Sequence, residues 1–298
     1  MTCLRKYFWR RILNLESNKL NNAFWYGGVL GAGFEAYLLG KNPEKAMDKE
    51  DRRRRRGKII NPDDEPEMAV QRRLISHIIN EAKKQPDVKK MRMTRSQAQF
   101  KVRLKDSGLW LCGTDDGEGT YAGSPCAFEE KTAIQVNAAY ITSLSFDPQI
   151  HSYAYARRLE KKPPLAMCCY CIFQKVKKYV KKKQTVDDFC DREIPEDLAT
   201  RPEFYYHWIR LRLGRLTVSA VGHDIEREAT ILKSLYDSMS EKEILDPHNW
   251  PRRRGLCSDW KGCEFLSLCR RPAKWKLYLR FFKQREMMYE IEKQELQK

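Results

Sequence analysis

At Gln99 the apolar residues change period, and this change constrains the fold more than any other feature of the chain. Phe100, Val102 and Leu104 alternate with Lys101, Arg103 and Lys105, the spacing that turns one face of a strand to a core and the other to water. LWLCGTDD and CAFEEKTAI follow, separated by the turn-rich GEGTYAGSP, so three consecutive strands in a meander are expected. Helical spacing surrounds them. Residues 3–18 place Leu4, Tyr7, Phe8, Ile12 and Leu13 on one face of a basic amphipathic helix. Residues 24–39 read as a helix ending at Gly40, and 67–85, 146–159, 223–240 and 273–298 as further helices. Residues 165–176 read as a strand of apolar and small side chains. Helices, a strand meander, a helix and a further strand indicate an α/β or α+β domain. It spans 1–298 as one domain, with N-terminal helices in 1–40, a basic linker and helix in 41–98, a core in 99–240 and a C-terminal segment in 241–298.

Charge narrows the partner. Lys and Arg number 57 against 40 Asp and Glu, a formal charge of +17, while 42% of residues are hydrophobic. That composition excludes disordered and collagenous chains and makes a polyanion the expected partner, nucleic acid before an anionic membrane surface. The run DRRRRRGK at 51–58, followed by acidic NPDDEPE, is expected to be a mobile surface linker, because like charges resist compaction. The lysine run KKYVKKK tracks phosphates or faces water. Residues 23–39 are apolar but glycine-rich, short for a span and interrupted by Glu35, so a packed helix is expected rather than a membrane segment. No phosphate-binding loop with a Lys-Ser/Thr ending occurs, so any helicase or other motor would be a separate partner protein.

The most informative segment is Gly113-Thr-Asp-Asp116, a turn, then Glu129-Glu-Lys131. Residues two apart on a strand share a face, so Glu129 and Lys131 project together, and a hairpin neighbour can bring Asp116 beside them. Two carboxylates suit a hard cation such as magnesium, and a nearby lysine suits phosphodiester hydrolysis. An isolated Glu-x-Lys means little, since such pairs are common on solvated hairpins. Here the next helix opens with Asp147-Pro148-Gln149 and carries Tyr153, four residues after Gln149 and so on the same helical face.

Together these residues resemble the PD-(D/E)xK nuclease superfamily, and within it the RecB-like branch, whose motifs run G-x-x-D, Asp/Glu-x-Lys and Q-x-x-x-Y. The resemblance implies a restriction-endonuclease-like core, a mixed central sheet flanked by helices. It implies that Asp116 and Glu129 bind Mg2+ or Mn2+, that Lys131 positions or activates the attacking water, and that Gln149 and Tyr153 support the site and the DNA strand. Asp115 and Glu130 are the rivals in register. The family's upstream histidine has no counterpart; GGVLGAGFEAYL offers Glu35, either a third metal ligand or a partly buried glutamate paired with a lysine.

Ten cysteines remain to be placed. The opening MTCLRKYFWRRIL has no apolar run of the secretory kind, so a reducing, cytoplasmic setting is expected, in which clustered cysteines are metal ligands more often than bridges. Its arginines also suit a mitochondrial transit peptide, against which Glu16 counts. Cys257, Cys263 and Cys269 stand six apart, and three thiolates need a fourth ligand to close a site. Cys3, in the context Cys-Leu-Arg-Lys-Tyr, resembles the N-terminal C-P-R-K-F/Y segment of iron-sulfur members of the RecB-like family, including AddB-type helicase-nucleases and CRISPR-associated spacer-acquisition nucleases. The resemblance implies a 4Fe-4S cluster on Cys3, Cys257, Cys263 and Cys269, stapling the two ends of the domain. Leu4 in place of proline, and five residues rather than two between the middle pair, leave zinc open. Cys112, Cys126, Cys168, Cys169, Cys171 and Cys190 read as small core residues. Tyr205, Tyr206 and Trp208 could stack bases but read better as core.

The function expected is a metal-dependent deoxyribonuclease, an exonuclease on single strands or DNA ends in recombination, repair or phage DNA processing. The alternatives are a non-catalytic nucleic-acid-binding module with a structural metal site and a zinc-binding structural protein.

Overall fold

The first helix stops early. α1 (Leu4–Tyr7) runs into a π-helical turn, Phe8–Ile12, and Asn14 then takes a left-handed φ of 51°. That breaks the helix expected over 3–18, and Leu15–Ser17 forms strand β1. A computed structural model describes residues 3–176, 179, 185–251, 263–270 and 272–285.

α2 (Asn22–Leu38) starts at Asn21, whose side chain accepts the Ala23 and Phe24 N–H groups, and ends before Gly40 at φ 69°, the left-handed position that glycine favours. The arginine run is not a loop. It ends α3 (Pro43–Arg55), which is capped by Asn42 and anchored by buried Met47. Arg53 and Arg54 pair with Glu50, and Arg55 with Asp51. Carboxylates one turn upstream thus offset the repulsion that the bare run suggests. α4 (Glu65–Ala82) follows, burying Met68, Leu74, Ile75, Ile78 and Ile79.

The meander forms as expected but with longer strands: β2 (Met91–Arg103), β3 (Trp110–Tyr121) and β4 (Ser124–Ala133). β2 begins at Met91 rather than Gln99, because Met91 and Met93 also face the core. The β3–β4 turn is only Ala122 and Gly123, both at positive φ (47° and 83°), the backbone that two-residue hairpins require. Most of the expected GEGTYAGSP turn is therefore strand.

α5 (Ala138–Leu144) and α6 (Pro148–Leu159) carry the chain back to β5 (Met167–Gln174), parallel to β4. α7 (Ile194–Thr200) and α8 (Pro202–Tyr205) lead to β6 (Tyr206–Arg212), antiparallel to β5. The result is one mixed sheet in the order β2-β3-β4-β5-β6. α2, α4 and α7 share a core with one face, where Cys126, Cys169, Cys171 and Phe173 lie. α5 and α6 pack on the other, over Ala127, Cys168, Tyr170 and Ile172. Cys168 and Cys169 point to opposite faces, as strand alternation requires. Cys126 and Cys190 are buried too, but Cys112 is exposed, because this part of β3 pairs with β2 and has no β4 neighbour. Tyr205 and Tyr206 are buried, and Trp208 stacks on Tyr206 and Phe34; these aromatics belong to the core.

α9 (Arg215–Asp237) packs on α6, and α10 (Glu241–Ile244) and α11 (Leu266–Arg270) follow. The helix expected over 273–298 is instead a 3-10 segment, Pro272–Phe281, kinked at Lys274, and strand β7 (Phe282–Gln284); 286–298 lie outside the described residues. β7 pairs antiparallel with β1, over a second core of Phe8, Trp9, Trp250, Phe265, Leu268 and Phe282. Among the described residues no helix is long and apolar enough to cross a membrane.

Candidate active site

The pairing of β3 with β4 ends at Gly117 and Phe128, and the site forms where it ends. The backbone N–H of Glu130 is accepted by Asp116 Oδ2 at 3.1 Å, so the aspartate takes over a donor that the ladder no longer satisfies. Glu129 and Lys131 share the face under α6, as their spacing predicts, with Lys131 Nζ 3.0 Å from Glu129 Oε1. From α6, Asp147 Oδ2 lies 3.2 Å from the same ammonium and Gln149 Oε1 3.5 Å. Gln149 Nε2 in turn donates to Tyr153 Oη at 2.5 Å. Tyr170 on β5 lies under the ammonium, its ring centroid 5.7 Å away.

Two glycines make these approaches possible. Phe100 meets Tyr153 edge-on, ring centroids 5.7 Å apart, and a Cβ at Gly113 would fall 2.3 Å from the tip of the Phe100 ring. The glycine of G-x-x-D thus makes room for the ring that seats Tyr153. Gly113→Val should lower stability by about 1–3 kcal/mol, the usual penalty for overpacking, in a urea melt. On the opposite face, a Cβ at Gly31 would sit 3.2 Å from Glu130 Oε2. Glu35, one turn further along α2, is therefore held close to Glu130.

Among the described residues Glu35 pairs with no lysine. It accepts from Gln97 Nε2 at 2.6 Å and contacts Glu130, while Asp116 contacts Glu129 and Gln97. Two carboxyl pairs from α2, β3 and β4, Glu35 with Glu130 and Asp116 with Glu129, thus lie close enough to repel one another, and the cost shows in their titration. Burial, then the Asp116 charge, pushes Glu129 up to about 8. Burial, only partly offset by Gln97, pushes Glu35 up to about 7. Burial raises Asp116, and burial with the Glu35 and Asp116 charges raises Glu130 well above the ordinary carboxylate range. Lys131 moves the other way from a buried lysine: burial would lower it, but Glu129 and Asp147 outweigh burial and raise it. Asp115 lies apart from this set, its carboxylate accepting the Ala98 N–H and facing Arg95.

As the side chains stand, no three His, Cys, Asp or Glu among the described residues form a group that could hold a metal ion; the carboxyls meet in pairs. Glu129 Oε2 and Glu130 Oε1 are nevertheless buried without a hydrogen-bond partner among the described residues. Carboxyls crowded in this way must share either protons or a cation, and the donor set, all oxygen, is the one that Mg2+ and Mn2+ take. The residues fit such an ion.

At the other end of the molecule, Cys3 and Cys269 are buried and Cys263 half-buried. The Trp9 indole N–H donates to Cys269 Sγ at 3.2 Å. Burial raises the Cys269 thiol, Trp9 and Arg5 lower it, and Cys263 and Cys3 lie near enough to raise it. The three cysteines thus lie at one end of the molecule, but as they stand among the described residues they form no group that could hold a metal ion; Cys257 lies outside the described residues, as does all of the lysine run except Tyr179. No protein-family model and no curated protein matches the chain.

Sequence reasoning missed two contributors. Asp147 was legible as a helix N-cap, and its side chain does accept the Gln149 N–H, but its second role against Lys131 needs the crossover geometry. Gln97 carried no signal, since only the β2–β3 register brings it to the carboxylates.

Proposed function

We propose that this chain is a metal-dependent nuclease of the PD-(D/E)xK type that hydrolyses phosphodiester bonds in DNA. One observation carries the reading: Asp116, Glu129 and Lys131 meet at the end of the β3–β4 ladder, under a helix that presents Gln149 and Tyr153. The fold supports it, because the resemblance implies a mixed central sheet flanked by helices, and the five-stranded sheet is mixed, with helices on both faces. Glu129 and Asp116, with Glu35 and Glu130 behind them, would hold Mg2+ or Mn2+. A divalent ion there supplies Lewis acidity and offsets charge on the scissile phosphate.

The chain's own residues do the rest. Lys131, held protonated by Glu129 and Asp147, acts as a donor that orients an attacking water or a phosphate oxygen, not as a base. Asp147 and Gln149 fix the ammonium, and Tyr153 fixes Gln149. The excess positive charge favours a polyanion, and the substrate is DNA with a single strand or an end, cut as by an exonuclease in a reducing, cytoplasmic setting. Cys3, Cys257, Cys263 and Cys269 would hold a 4Fe-4S cluster or zinc. A metal-titrated cleavage assay on plasmid, duplex-end and single-stranded DNA tests the reading: cleavage that requires Mg2+ or Mn2+ is expected. Binding without cleavage at any metal concentration would instead identify a non-catalytic nucleic-acid-binding module.

A further inference from the structure

Gln97 lies in the middle of β2 with a left-handed φ of 51°, a conformation that residues with a Cβ adopt rarely and at a cost. The ladder continues on both sides of it, with Ser96 paired to Gly117 and Ala98 to Asp115. Apolar packing does not explain the conformation, for Gln97 is exposed. What the conformation achieves is the aim of the side chain. The Gln97 amide donates to Glu35 Oε1 at 2.6 Å, and the β2–β3 register sets Gln97 opposite Asp116, near enough to lower that carboxyl, so it links a carboxylate from helix α2 to one from strand β3. A primary amide has two N–H donors and no charge. It can hold two carboxylates side by side without neutralising them, whereas a lysine or arginine there would compete with a cation for the same oxygens.

We propose that Gln97 is a positioning residue that sets Glu35 and Asp116 toward a divalent cation, and that the strained backbone persists because only this conformation delivers the amide to both. The inference rests on the metal-site reading above and names a residue that the sequence motifs do not contain.

Gln97→Gly and Gln97→Ala in the full chain separate positioning from structure. Both remove the amide; glycine also relieves the left-handed backbone. Melting temperature without metal and Mn2+ affinity by titration calorimetry, well below the melting temperature, are the two readouts. In both variants Mn2+ affinity should fall about 10–100-fold, the usual effect of losing a group that orients metal ligands. The melting temperature of Gln97→Gly should stay unchanged or rise, so that affinity and stability move apart. Less than about a fivefold loss of affinity in either variant, or a Gln97→Gly protein that melts below Gln97→Ala, overturns the proposal. A wild-type protein that binds no Mn2+ overturns the metal-site reading itself, and the inference with it. Wild-type binding matched by both variants overturns the inference alone.

Discussion

Replacing Lys131 with alanine is expected to slow metal-dependent DNA cleavage by a factor of about 10²–10⁴, the range for a positioned proton-transfer or donor group, while the protein stays folded. The ammonium is held by Glu129 at 3.0 Å and Asp147 at 3.2 Å, and these charges, outweighing burial, keep it protonated. Truncation removes the donor from the reacting region without touching Asp116, so Mn2+ should still bind. The Glu129 carboxyl left behind loses the neighbouring charge that lowers it, and fuller protonation rather than unfolding is the expected response. Single-turnover cleavage with saturating Mn2+, beside a circular dichroism spectrum and a Mn2+ titration, checks the claim. Cleavage within tenfold of wild type would remove Lys131 from the chemistry.

Glu129→Gln should separate stability from activity. The Glu129 carboxyl is pushed up to about 8 from an ordinary 4.5, first by burial and then by the Asp116 charge. The folded state therefore binds a proton that the unfolded chain has released at neutral pH, so this group's contribution to stability is complete below pH 4.5 and is lost as pH rises through 8. Glutamine does not titrate. Without metal, the variant should match wild type near pH 4.5 and become more stable above it, by a few kcal/mol once pH passes 8. Cleavage and Mn2+ affinity should both fall by at least about 10²-fold, as for loss of a charged ligand. Urea denaturation at a series of pH values in a chelator gives the first result and calorimetry the second. A variant less stable than wild type at pH 8 would mean that the carboxylates are not crowded as described.

The geometry of the candidate site was legible in the sequence where spacing alone decides it. Glu129 and Lys131 are two apart on a strand, and Gln149 and Tyr153 four apart on a helix, so each pair faces one way whatever surrounds it. Asp116 needed only a hairpin. Gln97 depended on a register between strands, and no local pattern encodes which residue of β2 falls beside Asp116. The arginine run misled for a related reason: its charges suggested a loop, while Glu50 and Asp51, one turn earlier, had already made it a helix end. The two short strands near the ends of the described chain were invisible because three residues carry no period. Asn14 stopped one expected helix, and the kink at Lys274 and the strand pairing replaced the other.

That terminal pairing bears on how the molecule is made. The Asn14 side chain donates to the Arg285 carbonyl, 271 positions away in sequence, and β1 pairs with β7 just inside this bond. Contacts of such separation carry the largest loop-closure entropy in a fold and form late. During synthesis the central sheet can be complete while β1 still lacks its partner, so Phe8 and Trp9 lack their distant ring partners until Trp250 and Trp275 have been made. The nascent chain therefore carries this aromatic surface longer than any other part of its core, and aggregation would begin there if translation paused.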